Sequence, residues 1–487
     1  MSNKFLKHFT IIGIGTALNL LLGVITTPLI TRIVDPTEYG RLSIFTMYSN
    51  IAVMILCLGL DQAFIRYYYD AGNIEYRRSL LFKCVKFPVI VSTIGSLIII
   101  MLLYSGLINF EFTSTIMILL CLYTIVQIIY RFSLLVIRLE FNSKLYSTLG
   151  IILKAIYVCV AVPLVLLFKQ NYILLLVTGT FTAAVICLFV SIISQRKMWN
   201  PFLNNKSSCT VETRELMKYA YPFIISMGVT TLFQAIDKLS LNHYLSYADV
   251  GIYSSTMSLV HIFAIIQTTF NTLWAPMTVE HYSKNPEDKT FYQKGNQLIT
   301  VFMFFIGISL ILVKDIFAIL LGSKYREAAY ILPFLIFNPI MYTVSETTVV
   351  GLVLKKKSNM QVVVAASACI TNFIGNTILV PQLGCRGAAI STGLSYILFF
   401  TLRTALSNKY FYVDFKLKKF YVITALTCIY AFYNTFFEFS FISIIGYLVI
   451  IIFVYFMYRA TIKWGFTYTI AEVNKLIKKN RGSCKKL

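Results

Sequence analysis

The sequence has little charge. Of its 487 residues only 13% are Asp, Glu, Lys or Arg, and the acidic ones number 20 against 43 basic. A soluble domain carries about 25% charged residues, so a water-soluble enzyme and a disordered tail are both excluded. Histidine occurs four times, and no two of the ten cysteines have C-x-x-C spacing. That disfavours a metal cluster or a disulfide framework. Cys57, Cys121, Cys159, Cys187, Cys369 and Cys428 lie inside apolar runs, where cysteine packs as a small hydrophobe. The chain lacks a Walker A sequence, which argues against direct drive by ATP. It also lacks paired carboxylates in a sizeable loop, which argues against a membrane glycosyltransferase. A polymerase is expected to carry a large outer loop, and the longest outer segments here are about ten residues.

What the sequence has is apolar residues: 58% hydrophobic and 15% aromatic, with mean hydropathy +0.75. About fourteen segments are long enough to cross a bilayer: 9–32, 41–63, 87–108, 112–137, 145–168, 171–194, 219–243, 250–275, 297–320, 328–354, 359–381, 386–408, 419–437 and 440–463. None alternates with period two, so the spans are helices and not barrel strands. The expectation is an all-α polytopic membrane protein with about fourteen transmembrane helices. Lys4 and Lys7 precede a first run too long for a signal-peptide core, which is read as a retained span.

The net charge of +23 does not point to nucleic acid, because Lys and Arg lie between the apolar runs and not on one basic face. With the N-terminus inside, about 34 of the 43 fall on the cytoplasmic side and about 7 outside, leaving Lys154 and Lys238 within spans. Both termini are thus expected in the cytoplasm. Lys355, Lys356 and Lys357 read as a topological anchor with affinity for anionic lipid. The basic tail from Lys475 to Lys486 reads the same way, with a short amphipathic surface helix near Ile470–Lys479.

An internal repeat is visible. At an offset of 211 residues Gly40 meets Gly251, Ser43 meets Ser254 and Glu38 meets Asp249, each set following the first span of its half. Six spans per unit is even, so the halves share one orientation and are related by a pseudo-two-fold axis along the membrane normal. The expected organisation is an N-terminal six-helix lobe (1–195), a cytoplasmic linker (196–218), a C-terminal six-helix lobe (219–410), helices 13 and 14 (411–465) and a basic tail (466–487). Two facing bundles suggest a transporter with a central cavity open alternately to each side. A membrane scaffold or a polytopic enzyme with a chance repeat is the plainer reading.

Specific stretches resemble a known family. Leu22-Gly23, Pro28-Leu29 and Asp35-Pro36-Thr37-Glu38-Tyr39-Gly40 look like the start of bacterial oligosaccharide flippases of the Wzx or polysaccharide-transporter type, as does Gly59-Leu60-Asp61-Gln62-Ala63-Phe64-Ile65-Arg66-Tyr67. Tyr221-Pro222, Asp237-Lys238, Val250-Gly251-Ile252-Tyr253-Ser254, Trp274-Ala275-Pro276 and Gly384-Cys385-Arg386-Gly387-Ala388-Ala389 follow in that family's order. The resemblance covers nearly the whole chain. It implies a V-shaped bundle in the bacterial cytoplasmic membrane that moves an undecaprenyl-pyrophosphate-linked oligosaccharide to the outer leaflet. Membrane lipids and polysaccharide polymerase or assembly proteins are the implied partners, with no nucleic acid. The same superfamily holds cation-coupled multidrug exporters, the alternative reading, and the peptidoglycan-precursor flippases. The latter typically carry arginines in span 1, whereas this span has none before Arg32.

Such a cargo calls for cations to meet pyrophosphate and a polar, aromatic cavity for sugar. Charges at membrane depth are informative because each costs about 2.5–3.5 kcal/mol to insert. Lys154 lies near the middle of span 5, as a phosphate ligand or one half of a structural ion pair. Lys238 lies in span 7, as a phosphate ligand or snorkelling outward; its neighbour Asp237 points roughly 100° away. Arg66, beside Tyr67, Tyr68 and Tyr69, and Arg131 with Arg138 stand at the inner mouth, as cargo contacts or interfacial anchors. Arg32 stands near the outer gate. Asp61, Asp237 and Glu346 are candidates for a coupling proton or sodium ion; no other cofactor is expected. Asn19, Gln127, Gln234, His261, Gln267, Asn271, Asn338 and Asn372 are deep polar residues, for sugar or for interhelical hydrogen bonds, and His261 could also sense protons. Helices 13 and 14 could extend a groove for the prenyl tail.

Overall fold

The computed structural model describes residues 3–107, 111–203, 211–357 and 359–484, and for 3–12, 14, 264, 273, 466 and 468–484 the backbone alone. Every described element is helical. Single helices stand for eight of the predicted spans: α1 (Asn3–Thr31), α4 (Ile74–Tyr104), α5 (Ser114–Leu139), α6 (Ser143–Phe168), α7 (Tyr172–Ser194), α9 (Thr213–Tyr244), α17 (Asn359–Leu383) and α18 (Cys385–Tyr410). Four spans are broken. Span 2 is α2 (Pro36–Cys57) with α3 (Leu60–Tyr67), and span 8 is α10 (Tyr247–Val260) with α11 (Phe263–Lys284). Span 9 is α12 (Thr290–Leu312) with α13 (Lys314–Leu321). Span 10 is α14 (Ala328–Leu335), α15 (Phe337–Thr348) and α16 (Val350–Leu354). A short α8 (Arg196–Trp199) follows α7, and α19 (Leu417–Phe436) and α20 (Phe441–Cys484) close the chain.

Each predicted span therefore has its helices, but the count of fourteen crossings is not confirmed. Eleven described helices are long and apolar enough to cross, or twelve if α10 and α11 make one span. The others are α1, whose described apolar stretch Gly15–Thr31 is short, and α19, which opens on Lys418 and Lys419. The tail's expected surface helix falls within α20, which runs on past a kink at Tyr458. Its side chains, and residues 485–487, lie outside the described set.

The breaks have local causes. Gly59 takes φ 70°, and a Cβ there would lie 2.6 Å from the Ala220 carbonyl oxygen, so glycine is required both for conformation and for space. Asp35 precedes helix α2 as its N-cap, and Pro36 takes the first helical position, where the missing N–H costs nothing. Large apolar side chains such as Leu97, Met101 and Leu167 are exposed on α4 and α6. In hydrocarbon such faces carry no hydrophobic penalty.

The chain divides into two compact units. The first holds residues 1–266, 318–326 and 365–388; the second holds 267–317, 327–364 and 389–487. Within the first, α2 and α10 cross closely. A Cβ on Gly40 would lie 1.8 Å from the Tyr247 carbonyl oxygen, and one on Gly251 would lie 2.0 Å from that of Pro36. These contacts are reciprocal under the repeat, since Pro36 and Tyr247 are equivalent positions.

In the second unit, Phe400 stacks on Phe420 at 4.1 Å, joining α18 to α19. Its buried cations correct the expectation that only Lys154 and Lys238 lie within spans. Lys314 is fully buried at the start of α13. Its ammonium donates to the carbonyl oxygens of Asn434 and Phe437, the latter at 2.8 Å, and lies over the Tyr330 ring. It thereby caps the C-terminal end of α19, where helix carbonyls are otherwise unmet. Arg403, buried within α18, and Arg131, within α5, are likewise inside spans.

Candidate functional site

Lys154 on α6, Lys238 on α9 and His261 at the α10–α11 break come together inside the first unit. His261 lies within electrostatic range of both lysines. All three keep accessible surface, Lys154 and Lys238 half-buried and His261 exposed. The Lys154 ammonium donates to the Asn19 carbonyl of α1 at 2.6 Å. Glycine makes this possible: a Cβ on Gly23, one helical turn beyond Asn19, would lie 2.5 Å from that nitrogen. Lys238 makes no hydrogen bond or ion pair among the described residues. Tyr157, one turn along α6 from Lys154, and Tyr39 lie close together and add aromatic surface. Tyr39 in turn meets Ser258 and Thr27.

Asp237 takes a different environment from its neighbour Lys238. It is 5% exposed and accepts hydrogen bonds from the Tyr253 hydroxyl at 2.7 Å and from the amide nitrogens of Asn372 at 2.9 Å and Asn376 at 2.8 Å. Three neutral donors from α10 and α17 thus surround one carboxylate. The Asn376 side-chain oxygen is buried with no hydrogen-bond partner among the described residues. Which end of an asparagine amide carries oxygen is assigned from the network, so Asn372 and Asn376 can present oxygen instead of nitrogen to this point.

The remaining predicted charged residues have partners of their own or lie at the surface. Asp61 is buried and paired with Arg131, whose Nε stands 3.0 Å from Oδ2, so a coupling candidate and a cargo candidate neutralise one another. Arg66 pairs with Asp70 at 2.9 Å on the surface, beside the Tyr67 ring; Arg138 is exposed. Arg32 donates to the Leu320 carbonyl at 3.2 Å. Glu346 lies in the second unit, where Arg403 Nη1 bonds to its Oε1 at 2.8 Å and to Ser345 Oγ at 2.6 Å, beside the stacked Tyr342 and Phe399 rings.

Sequence reasoning missed Arg403, Lys314, Tyr39, Tyr157 and Asn376. The last was detectable, for it stands one helical turn from Asn372 on the same face of a predicted span. Outside the spans, burial raises the Glu140 carboxyl above its ordinary range, against the pull of Gln195 and Arg77. Hydrogen bonding from Thr290, with help from His281, holds Asp288 below its ordinary range. No group of three His, Cys, Asp or Glu side chains able to hold a metal occurs among the described residues.

Residues 5–282 match the family model described as polysaccharide biosynthesis protein. An uncharacterised membrane protein of Methanocaldococcus jannaschii is 22% identical over 442 residues, covering 84% of this chain and 86% of that protein. Among solved structures, the lipid II flippase MurJ in an inward closed conformation superposes with a TM-score of 0.70 at 16% identity, over 93% of this chain and 99% of that one. A transporter of the MOP superfamily from Pyrococcus furiosus, described as having a binding pocket of reverse polarity that suggests a different function, gives 0.57 at 11% identity, over 83% and 95%. An inward-facing multidrug resistance transporter of the MATE family gives 0.55 at 11% identity, over 81% and 94%. At these identities the likeness is one of fold.

Proposed function

The chain belongs to the polysaccharide biosynthesis protein family, and from that membership we propose that it is a flippase for a lipid-linked oligosaccharide. Its cargo is an undecaprenyl-pyrophosphate-linked repeat unit, moved from the inner to the outer leaflet of a bacterial cytoplasmic membrane for assembly of a surface polymer such as O-antigen or capsule. The chain acts as a carrier and makes or breaks no covalent bond. Downstream polymerase or assembly proteins take the unit on.

The observation that carries this reading is the pair of cations at membrane depth, Lys154 and Lys238, neither of which forms an ion pair among the described residues. In this reading the accessible surface kept by Lys154, Lys238 and His261 lines a cargo concavity with cationic charge, while the Asp237 carboxylate, though within electrostatic range of Lys238, accepts its hydrogen bonds from Tyr253, Asn372 and Asn376. Such a wall attracts a pyrophosphate and disfavours a cationic drug. Tyr39 and Tyr157 supply flat apolar surface for sugar rings, while the prenyl tail remains in lipid.

Ion coupling is assigned to Asp237. Asn376 retains an unpartnered buried oxygen beside it, which fits a sodium ion held by the Asp237 carboxylate with the Asn372 and Asn376 amide oxygens. Such an ion would supply the bias between states that alternating access requires. Asp61 and Glu346 are engaged by arginines and are weaker candidates.

The test is replacement of Lys154 and of Lys238 by Ala in the native cell, with lipid-linked oligosaccharides quantified by mass spectrometry. Accumulation of one defined oligosaccharide, with loss of its surface polymer and protein level unchanged, is expected. An unchanged lipid pool and normal polymer in both variants would remove this assignment. Efflux of a cationic dye that depends on the protein would favour the drug-exporter reading instead.

A further inference from the structure

The segment 318–326 belongs by its packing to the first unit, although the residues on both sides of it in sequence, 267–317 and 327–364, belong to the second. It runs from the end of α13 through Gly322 and a single 3-10 turn at Ser323–Tyr325. Its partners lie almost three hundred residues away, in the turn between α1 and α2. Arg32 Nε donates to the Leu320 carbonyl at 3.2 Å. The Lys324 ammonium pairs with the Asp35 carboxylate, and both side chains are exposed. The Tyr325 hydroxyl donates to the Val34 carbonyl at 3.1 Å, and its fully buried ring meets Tyr39 edge-on at 6.4 Å. Gly322, at φ 107°, gives the chain the turn that lays it against Arg32 and Thr31.

We propose that this segment is a latch: it ties the α1–α2 turn shut over the lysine-bearing concavity and must let go before that concavity opens on this side. Three features support a breakable tie over a permanent one. Although Ala318, Leu321 and Tyr325 are buried, the Lys324–Asp35 pair and the Arg32 bond to Leu320 lie at the surface, so water can satisfy these groups on release. Two of the bonds end on backbone carbonyls, which impose less geometry than an interlocked apolar seam. Tyr325 touches Tyr39, and Tyr39 lies close to Tyr157, one helical turn from Lys154, so a run of side chains leads from the tie toward the lysines. Charge distribution assigns this end to the outer face, where release of cargo takes place. The inference rests on the transport reading for its purpose but not for its test.

The experiment places a reporter, Tyr157→Cys, in the full-length protein and follows its modification by a membrane-impermeant maleimide added outside intact cells. Labelling of protein without the reporter is subtracted as background. Asp35→Asn, Lys324→Gln and Tyr325→Phe are each expected to raise the labelling rate at least threefold. The exchanged pair, Asp35→Lys with Lys324→Asp, is expected to bring it back toward the parent value. Unchanged rates in all the single variants, in protein present at normal level, would overturn the latch. Should single variants fail to accumulate, the exchanged pair decides: a rate well above the parent's would show that charge pairing does not hold this end. Labelling needs no cargo, so this outcome is independent of the lysine variants.

Discussion

Ser43 donates a hydrogen bond to Ser254 at 2.7 Å, and these two serines occupy equivalent positions in the internal repeat, 211 residues apart. Equivalent residues thus meet one another at the crossing of α2 and α10. The same crossing brings Gly40 against Tyr247 and Gly251 against Pro36.

A methyl group at that crossing has nowhere to go. Gly40→Ala and Gly251→Ala are each expected to lower stability by roughly 1–3 kcal/mol, the usual cost of overpacking. Ser43→Ala should cost only about 0.6 kcal/mol, as for a typical interhelical bond in a membrane protein. Thermal unfolding of the purified protein in detergent measures both. An innocuous Gly40→Ala would mean that the two helices are not in backbone contact.

Asp237 gives a second expectation. Sodium should raise the thermal stability of the parent protein in proportion to the logarithm of its concentration above the dissociation constant. Asp237→Asn should abolish that dependence and Asn376→Ala should weaken it. A sodium response that survives Asp237→Asn would place the ion elsewhere. Stabilisation by acid without any sodium response would make the coupling ion a proton.

The buried Arg403–Glu346 pair should show strong non-additivity. Removing one partner leaves an uncompensated charge, at about 3–5 kcal/mol. The double replacement Glu346→Leu with Arg403→Met should cost much less than the sum of its parts. A double-mutant cycle by thermal unfolding decides it, and simple additivity would mean that the two side chains do not depend on one another.

Two loop carboxylates should respond to pH in opposite directions. Asp288 is held below its ordinary value of 3.8, so its contribution is present above that pH and is lost as pH falls through the lower folded value. Glu140 is raised above 4.5 by burial, so its contribution is present below that pH and is lost as pH rises through the folded value. Glu140→Gln should therefore stabilise the protein at pH 7 relative to parent, with the advantage gone by pH 4. A destabilising Glu140→Gln at neutral pH would contradict the burial argument.

How much of this was legible in advance depended on what each signal records. Apolar run length locates helices, because hydrocarbon tolerates little else, and each predicted span has its helix. It does not register breaks such as the one at Gly59, where φ and a neighbouring carbonyl decide. The repeat was readable from Gly40, Ser43 and their counterparts, and the Ser43–Ser254 bond gives it a physical meaning. Lys154 and Lys238 stood out because lone cations at depth are costly. Their surroundings did not, for Asn19 is 135 residues from Lys154 and no periodicity links them. Asp61 and Arg131 looked like two functional groups and turned out to be one ion pair across 70 residues. Lys314 was passed over because it sits where span 9 breaks, and a lysine at the end of an apolar run looks like an anchor.

That lysine changes how the final pair of helices should be regarded. With its ammonium seated on the last carbonyls of α19, a protein truncated after α18 would hold a desolvated cation with its lid torn off. Trimming the chain to test whether α19 and α20 serve the lipid tail would thus confuse loss of a groove with collapse of the neighbouring fold. Those two helices are less an appendix to the carrier than its keystone, and they need to be probed by surface substitution and not by amputation.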